Sequence, residues 1–528
     1  MTAPIHRDRS GSWRGSRLEG WVDGYTADTV YLDQITTQHC PAWFSMISVL
    51  NGQPPLDATG KVVWLDIACG TGLAACTVAA CHPDFEVWGI DYNPAHIERA
   101  RRLSRAASLT NVQFVEADVA SLARDRSIGP AEVDVVVING VYSWVSMDNQ
   151  RHIVDAVRQR LRPGGLAHVM FETAGGWASM TPVAEVLRLM VDADGRRGDL
   201  AFHDAAAEMV ALSTNGAAYF PMGNKETGHM RGWANLDPRL AAHEYLGGHF
   251  APLDAGGVHE LFASAKCTLV GSLDPLEHHH YYSIPPPFAD VLASPQVLPS
   301  AEMFRDLVLQ TAVREDLFRR GSASVTPLEH EAWLLGLEIW GLGRPLSSEP
   351  VDSPAMKITL DPTFHQPLID ALRVGPLTPE SVLAVHPSWS LSDATTAMSL
   401  LIAAGHAAPA MSGGAALGAI EACRRLNREL TRERLLGWPH CGVAAPATGA
   451  MVSLDLVEAL ALDTIWAGCE PTADKISPEV IQLLESLNFT VRDETGLVRE
   501  SERASLIVRH RVSNLLAKHG ALELLGVT

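Results

Sequence analysis

The chain has 528 residues, of which 47% are hydrophobic and 19% charged, and its formal net charge is −20. This length allows more than one domain, and the acidic excess disfavours a nucleic-acid binder, which must neutralise phosphates. No apolar run reaches the ~18 residues of a membrane span, and the first 17 residues lack the apolar stretch of a secretory signal. Eight scattered cysteines without a Cys-x-x-Cys pair indicate reduced thiols and a cytoplasmic protein.

The first predicted strand and the turn that follows it carry the most information. The apolar run Val62–Leu65 leads to Asp66, then to a loop containing Gly70 and Gly72, and then to a predicted helix over Leu73–Cys81. Glycines have no Cβ, so a ligand can lie directly against the backbone. A carboxylate beside the loop repels a pyrophosphate but suits a cationic, amino-acid-like ligand such as S-adenosylmethionine.

Three further predicted strands each end in a polar side chain. The first of these acids, Asp91, follows the glycine loop by ~20 residues, and such a carboxylate can accept both ribose hydroxyls. Asp118 is placed to accept a hydrogen bond from the exocyclic amine of an adenine. The predicted strands and their terminal residues are 85–90 with Asp91, 112–117 with Asp118, and 133–138 with Asn139.

A helix over 148–161, a Pro-Gly-Gly turn at 162–165 and a strand over 166–171 complete the predicted core. Apolar strands that alternate with helices predict an α/β fold, with a mainly parallel sheet covered on both faces. Ligands of such sheets bind beyond the carboxyl ends of the strands. We therefore expect Asp66, Asp91, Asp118 and Asn139 to converge on one crevice.

The motif Asp66-x-x-Cys69-Gly70-x-Gly72, followed by the polar strand ends and the Pro-Gly-Gly turn, resembles the motif series of Rossmann-like class I methyltransferases. The alternative is a nicotinamide enzyme, because Gly70-x-Gly72-x-x-Ala75 also fits a loose dinucleotide fingerprint, but the ordered strand ends favour the methyltransferase. The resemblance implies a seven-stranded mixed sheet and S-adenosylmethionine as cofactor. The implied cofactor-binding residues are Tyr25, Asp66, Ala68, Gly70, Gly72, Asp91, Tyr92, Asp118, Val119, Asn139 and Gly140.

Residues 139–145, Asn-Gly-Val-Tyr-Ser-Trp-Val, are similar to a segment of bacterial methyltransferases that carry a regulatory domain. That group includes the rickettsial protein lysine methyltransferases acting on an outer-membrane protein. Gln38-His39, the segment 243–246 and the chain end at 524–527 extend the resemblance, which implies a protein substrate and a homodimer. The loop 171–177 departs from the family, which tends to have Tyr-Asn and Pro-Gly-Trp where this chain has Phe-Glu-Thr-Ala-Gly-Gly-Trp.

A lysine acceptor must lose its proton, against an ordinary pKa of ~10.4, and a dry aromatic channel lowers that pKa. Tyr142, Trp144 and Trp177 are candidates for the channel walls, and Tyr142 could also hold the acceptor by its hydroxyl. Glu172 could accept the proton or anchor an ammonium. Core packing is the alternative for both tryptophans, and hydrogen bonding to the cofactor loop is the alternative for Glu172.

Three functions are therefore compared. The preferred one is an N-methyltransferase with a protein lysine as acceptor. The second is a methyltransferase that acts on a small molecule or a peptide natural product, which the altered 171–177 loop favours. The third is a non-catalytic protein that binds S-adenosylmethionine as a signal or scaffold.

Metal binding is not expected, since His243 and His249 would not share a helix face and His278, His279 and His280 would be exposed. The arginine-rich stretch 424–434 is interpreted as a solvated, salt-bridged face.

Five segments are predicted along the chain. They are a cap over the cofactor (1–60), the core (61–195), a regulatory insertion with a late strand at 267–272 (196–285), a helical middle segment (286–345), and a mainly helical, winged-helix-like C-terminal domain (357–528).

Overall fold

A computed structural model describes most of the chain. The described residues are 37–220, 236–292, 300–321, 324–411, 417–438, 442–487 and 501–528, together with 25, 29, 31, 230, 232, 233, 294, 297, 489, 491–493 and 496–498. Most of the predicted cap before residue 37 therefore lies outside the described residues.

The core is a single seven-stranded sheet in the order β3-β2-β1-β4-β5-β7-β6. Strands β1 to β5 run parallel, whereas β7 is antiparallel to both β5 and β6. This confirms the predicted mixed sheet. The strands are β1 (Val63–Ile67), β2 (Glu86–Asp91), β3 (Val112–Glu116), β4 (Val133–Ile138), β5 (Leu161–Glu172), β6 (Cys267–Ser272) and β7 (Val313–Arg320).

Helices cover both faces of this sheet because its buried strands present apolar side chains to both sides. In β1, Trp64 joins the apolar cluster of one face, whereas Leu65 and Ile67 join that of the other. The first face carries α1 (Pro41–Leu50), α2 (Leu73–Cys81) and α3 (Pro94–Ala106). The second face carries α4 (Val119–Arg124), α5 (Met147–Arg160) and, from later in the chain, α10 (Ala255–Ser264).

A separate helical layer follows β5, and it begins within the predicted core segment (61–195) rather than at the start of the predicted insertion. This layer has an apolar cluster of its own, which includes Trp177, Phe202, Trp233 and Tyr245. The layer contains α6 (Ala174–Trp177), α7 (Thr181–Asp194), α8 (Gly198–Thr214) and α9 (Pro238–Tyr245).

The predicted helical middle segment is wrong in one essential part, because β7 lies inside it. The strand reads Val-Arg-Glu-Asp-Leu-Phe-Arg-Arg, which does not look buried. Arg314 and Asp316 are nevertheless buried because they pair with each other at 3.1 Å, and Arg314 also binds Asp306, which lies before the strand, at 2.9 Å. The predicted Pro-Gly-Gly turn is also part of a strand: residues 162–165 form a bulge in β5, between Leu161 opposite Val133 and Leu166 opposite Val135.

The C-terminal region is mainly helical, as the sequence predicts. The predicted boundary between the middle segment and the C-terminal domain, at 345–357, is wrong. It would separate β8 (Ile339–Gly341) from β11 (Ala407–Pro409), and these two strands pair with each other. The other elements are a 3-10 turn (Pro275–His278), α11 (His280–Ser283), α12 (Pro286–Leu292), α13 (Ala301–Leu309), α14 (Pro327–Leu335), β9 (Val351–Asp352), β10 (Lys357–Ile358), α15 (Pro362–Leu372), α16 (Pro379–Val385), α17 (Leu391–Ala403), α18 (Leu417–Leu435), β12 (Val443–Ala445), β13 (Ala450–Val452), α19 (Leu456–Trp466), α20 (Ala473–Ser486), β14 (Arg492–Asp493), β15 (Gly496–Leu497) and α21 (Ser501–Leu524).

The arginine-rich helix α18 is not only a solvated face. Glu433 is 4% exposed and binds Arg99 of α3 at 3.0 Å, with the Trp438 ring 3.6 Å from the Arg99 guanidinium carbon. Charges on this side of the helix are buried because α18 packs against the core. His278 and His279 also differ from expectation, since both are half-buried and hydrogen-bonded through their ring nitrogens.

Among the described residues, no helix is both long and apolar enough to cross a lipid bilayer. The described cysteines, Cys40, Cys69, Cys76, Cys81, Cys267, Cys423 and Cys469, all carry free thiols.

Candidate active site

The polar residues at the ends of β1, β2 and β4 lie at the same edge of the sheet. Asp66 stands beside Gly89 of β2 and Val137 of β4 in the strand register, Asp91 ends β2, and Asn139 follows β4 directly. Asp66 and Asp91 are 5% and 6% exposed. The predicted convergence on one crevice therefore holds for these three residues.

The turn after β1 has positive φ angles at Ala68 (60°), Gly70 (56°) and Gly72 (83°). A Cβ at Gly72 would lie 2.5 Å from the Cβ of Ala100 and 2.9 Å from the Phe114 ring. Gly72 is therefore required by packing against α3 and β3 rather than by ligand approach. Gly70 faces the site instead, and a Cβ there would lie 3.4 Å from the Tyr31 ring.

Asp91 holds the glycine turn against the end of β2. Its Oδ2 accepts the backbone N–H of Gly70 at 2.9 Å, and its Oδ1 accepts that of Asn93 at 2.8 Å. Nδ1 of His96 lies 3.3 Å from the same Oδ1. A carboxylate has about four acceptor positions, so Asp91 keeps capacity for ribose hydroxyls.

Asp66 is a carboxylate in an unfavourable place for a negative charge. Burial and the nearby charge of Asp91 raise its pKa from 3.8 to about 8. A cationic ligand would favour the ionised form. The pair Asp66 and Asp91 is therefore suited to a ligand that brings positive charge, as a sulfonium and an ammonium do.

Asp118 and Val119 stand at the start of α4. The Asp118 carboxylate caps this helix, accepting the backbone N–H of Ser121 at 2.7 Å and its hydroxyl at 3.0 Å. Asp118 remains exposed, and Val119 packs on the apolar cluster beneath. Its capping role leaves acceptor positions free at the predicted adenine edge.

Asn139 and Gly140 border the crevice on the β4 side. Oδ1 of Asn139 is buried and has no hydrogen-bond partner among the residues that the structure describes. Gly140 has φ 63°, and a Cβ there would lie 3.9 Å from the Tyr31 hydroxyl. A buried acceptor without a partner is costly unless a ligand or water satisfies it, which fits a bound nucleoside.

Aromatic side chains from the predicted cap cover the crevice. The Tyr25 hydroxyl lies 3.4 Å from Nε2 of His96, and the Tyr25 ring meets Tyr92 edge-on at 5.7 Å. Tyr31 lies 5.2 Å from the His243 ring, between the Gly70 and Gly140 turns. The cofactor-binding residues named from the sequence include Tyr25 and Tyr92 but not Tyr31 or His96. The closeness of Tyr31 to Tyr25, and of His96 to Asp91, in the chain was the available signal.

Trp144 and Trp177 lie in an aromatic cluster beside this crevice. Phe250 connects them, with ring centroids 5.5 Å from Trp144 and 4.8 Å from Trp177, and Tyr245 lies 6.2 Å from Trp177. The indole N–H groups of Trp144 and Trp177 have no partner within the described part of the chain. The cluster is therefore apolar, and its two indole N–H groups can still donate hydrogen bonds.

Glu172 ends β5 and is 2% exposed. Burial, together with the neighbouring carboxylate of Glu244, raises its pKa from 4.5 to about 8, although the Ser143 hydroxyl lowers it in part. Burial raises the pKa of Glu244 as well. Oε2 of Glu172 has no partner among the described residues. Sequence reasoning missed Glu244.

Tyr142 lies apart from the tryptophan cluster. Its side chain is 0% exposed and packs on Phe262, with ring centroids 6.0 Å apart, in the apolar layer between the sheet and α5. The structure does not bring it together with Trp177, and its role as a channel wall stays a prediction.

Residues 65–165 match the family model described as "Methyltransferase domain". The uncharacterized protein sll1526 of Synechocystis sp. is 24% identical over 361 residues, or 68% of this chain and 70% of that protein. The uncharacterized protein RP028 of Rickettsia prowazekii is 31% identical over 163 residues, or 30% of this chain and 62% of that protein.

Among solved structures, PKMT2 from Rickettsia typhi in complex with AdoHcy superimposes with a TM-score of 0.67 at 18% identity, covering 94% of this chain and 99% of that chain. At this identity the likeness shows a shared fold. The matched domain and the geometry of the crevice lead to one conclusion: residues 65–165 form a class I methyltransferase domain, whose cofactor is S-adenosylmethionine.

Proposed function

We propose that this methyltransferase acts on a protein lysine amine. The observation that carries the proposal is the buried carboxylate of Glu172 beside the partly buried Glu244, whose chain neighbour Tyr245 packs against Trp177 of the aromatic cluster. The similarity of residues 139–145 to rickettsial protein lysine methyltransferases, and the fold shared with PKMT2, support the same acceptor.

The cofactor supplies a methyl group that is already activated on a sulfonium, so the protein mainly has to position the acceptor. An amine attacks only when it is neutral, and an aromatic surrounding that excludes water lowers its pKa. Glu172, whose pKa is about 8, can take up the proton once it is ionised, above about pH 8, and in either form it can hold the amine by a hydrogen bond. Tyr142 is proposed to hold the acceptor by its hydroxyl.

The loop 171–177 keeps a small-molecule or peptide natural-product acceptor as the second candidate. It carries Gly175 and Gly176 where the related family tends to have Pro-Gly, and a Cβ at Gly176 would lie 2.1 Å from the Thr311 carbonyl oxygen. The loop is thus shaped by packing against the residues before β7, and its acceptor side differs from the family pattern.

The acceptor can be tested with methyl-deuterated S-adenosylmethionine, offered together with lysine-containing peptides, denatured bacterial protein and a small-metabolite extract. We expect one-methyl mass steps on protein lysines in mass spectra, and no steps with an Asp91→Ala variant. Labelling confined to small metabolites would favour the second candidate and contradict the lysine proposal.

The family resemblance also leads us to propose a cytoplasmic homodimer. Light scattering coupled to size-exclusion chromatography should then give twice the mass of the 56.9 kDa chain. A monomer over the whole concentration range would refute this part of the proposal.

A further inference from the structure

Three side chains that are distant in the sequence meet on the α1 side of the sheet. His39 precedes α1, His168 lies in β5, and Glu315 lies in β7. One nitrogen or oxygen atom from each lies within 4.8 Å of the others. Nε2 of His39 is 3.8 Å from a Glu315 carboxylate oxygen, and the two imidazole centroids are 4.5 Å apart.

Both imidazoles are buried without the hydrogen bonds that such groups need. His39 is 5% exposed and His168 is 0% exposed. None of their four ring nitrogens has a hydrogen-bond partner among the described residues. A buried polar atom without a partner is energetically costly, so two such rings side by side indicate a shared ligand.

The surroundings hold these rings in place. The Phe44 ring stacks on His168 with centroids 5.8 Å apart, and on its other side it stacks on Trp64 at 5.6 Å. His168 and Glu315 stand on neighbouring strands of the β5–β7 ladder. Backbone of a central sheet is rigid, so two of the three side chains start from fixed positions.

The donor set is that of a transition-metal site. Two imidazoles and one carboxylate are ligands of Zn²⁺ and related ions, at distances of about 2.0–2.2 Å. Tetrahedral ligands at those distances lie about 3.3 Å apart, so the side chains would close by about an ångström.

We propose that His39, His168 and Glu315 bind one divalent transition-metal ion of the zinc class. The site is separate from the cofactor crevice and does not depend on the identity of the methyl acceptor. It ties the segment before α1, which continues from Tyr25 and Tyr31, to two core strands. Its role is therefore structural: the ion fastens the cap of the cofactor site to the sheet.

The test starts with the untagged, full-length protein. After treatment with EDTA, it is loaded with Zn²⁺ alone, and the bound metal is measured by inductively coupled plasma mass spectrometry. We expect about one ion per chain. Loading with Co²⁺ should produce visible d–d absorption, and X-ray absorption should show imidazole scattering. A chain that binds no zinc under these conditions, with the cluster satisfied by water, overturns the proposal.

Three variants localise the ion: His39→Gln, His168→Gln and Glu315→Gln. Each should lower zinc affinity at least tenfold, and Glu315→Gln keeps the side-chain shape if a histidine variant fails to fold. His406→Gln is the matched control, because His406 is 3% exposed but belongs to the C-terminal region. His280→Gln controls for the exposed histidine run. Full zinc binding by the folded site variants would also overturn the proposal.

Discussion

Single side chains decide how this enzyme holds its cofactor. Asp91 illustrates this, because it serves two partners: it accepts the backbone N–H groups of Gly70 and Asn93, and it faces the crevice with the acceptor positions that remain. The glycine turn and the predicted ribose site therefore share the same carboxylate. Any substitution of Asp91 changes the shape of the turn as well as the contacts with the ligand.

The first prediction concerns Asp91→Ala. Loss of two ribose hydrogen bonds should weaken cofactor binding by about 1.5–3 kcal/mol, and the freed N–H groups of the turn add to this loss. Isothermal titration calorimetry with S-adenosylhomocysteine measures it. Asp84→Ala, at an exposed position just before β2, is the control and should bind normally. Equal affinities of wild type and Asp91→Ala would exclude the ribose role.

The second prediction concerns Glu172, whose pKa is raised to about 8. As a base it works in the ionised form, so kcat should rise as the pH passes about 8. Glu172→Gln should lower kcat about 100-fold and flatten this rise, while cofactor affinity stays nearly constant. Wild-type turnover in the variant would remove Glu172 from the chemistry.

The same pKa has a consequence for stability. The folded protein keeps a proton on Glu172 between its ordinary pKa of 4.5 and about 8, whereas the unfolded chain loses it. This contribution to stability is therefore complete at low pH and is lost as the pH rises through that window. Urea unfolding at pH 5 and pH 9 should show a smaller decline for Glu172→Gln than for wild type; Asp66 contributes a decline of the same sign.

At the scale of elements, the β1–α2 turn combines two different requirements for glycine. Gly70 faces the ligand, whereas Gly72 makes room for α3 and β3. Both stand in a strand–turn–helix unit whose signals are local in the chain, which is why the turn could be predicted. The packing role of Gly72 could not, because Ala100 and Phe114 come from later elements.

A matched pair of variants separates packing from backbone strain, and this is the third prediction. Gly72 has φ 83° and Gly164 has φ 81°, but a Cβ at Gly164 would meet nothing within 4 Å. Gly164→Ala should cost only the left-handed strain of about 1–2 kcal/mol. Gly72→Ala should cost about 1–3 kcal/mol more because of the clash. Equal free energies of unfolding would contradict the packing role.

At the scale of the whole molecule, the C-terminal region is joined to the core by buried contacts. Helix α18 packs on α2 and α3, with Cys81 and Cys423 3.5 Å apart and the pair Arg99–Glu433 buried between the helices. A buried charge that loses its partner is costly. Core and C-terminal region should therefore unfold together.

The fourth prediction tests this junction. Glu433→Gln removes the buried charge that binds the Arg99 guanidinium and should lower the free energy of unfolding by about 3 kcal/mol. Glu429→Gln, on the same helix, removes only the surface pair with Arg432 and should cost less than about 1 kcal/mol. If the two variants lost similar free energies of unfolding, the buried Arg99–Glu433 pair would not be what stabilises the junction.

The amino-acid sequence by itself determined the first five strands, the glycine turn and the aspartates at the strand ends, because each of these signals lies within one strand–turn–helix unit. Strand β7 escaped prediction because its buried charges neutralise one another only in the folded chain. The regular alternation that marks an ordinary strand is therefore missing from its sequence.

Only the tertiary structure decided which distant side chains meet. Glu244 reaches Glu172, Tyr31 covers the glycine turn, and His39 joins His168 and Glu315 because helices and strands far apart in the chain pack together. Local sequence patterns indicate the structure that one segment prefers, whereas these sites depend on packing between distant segments. Their chemistry can be recognised only in the folded protein.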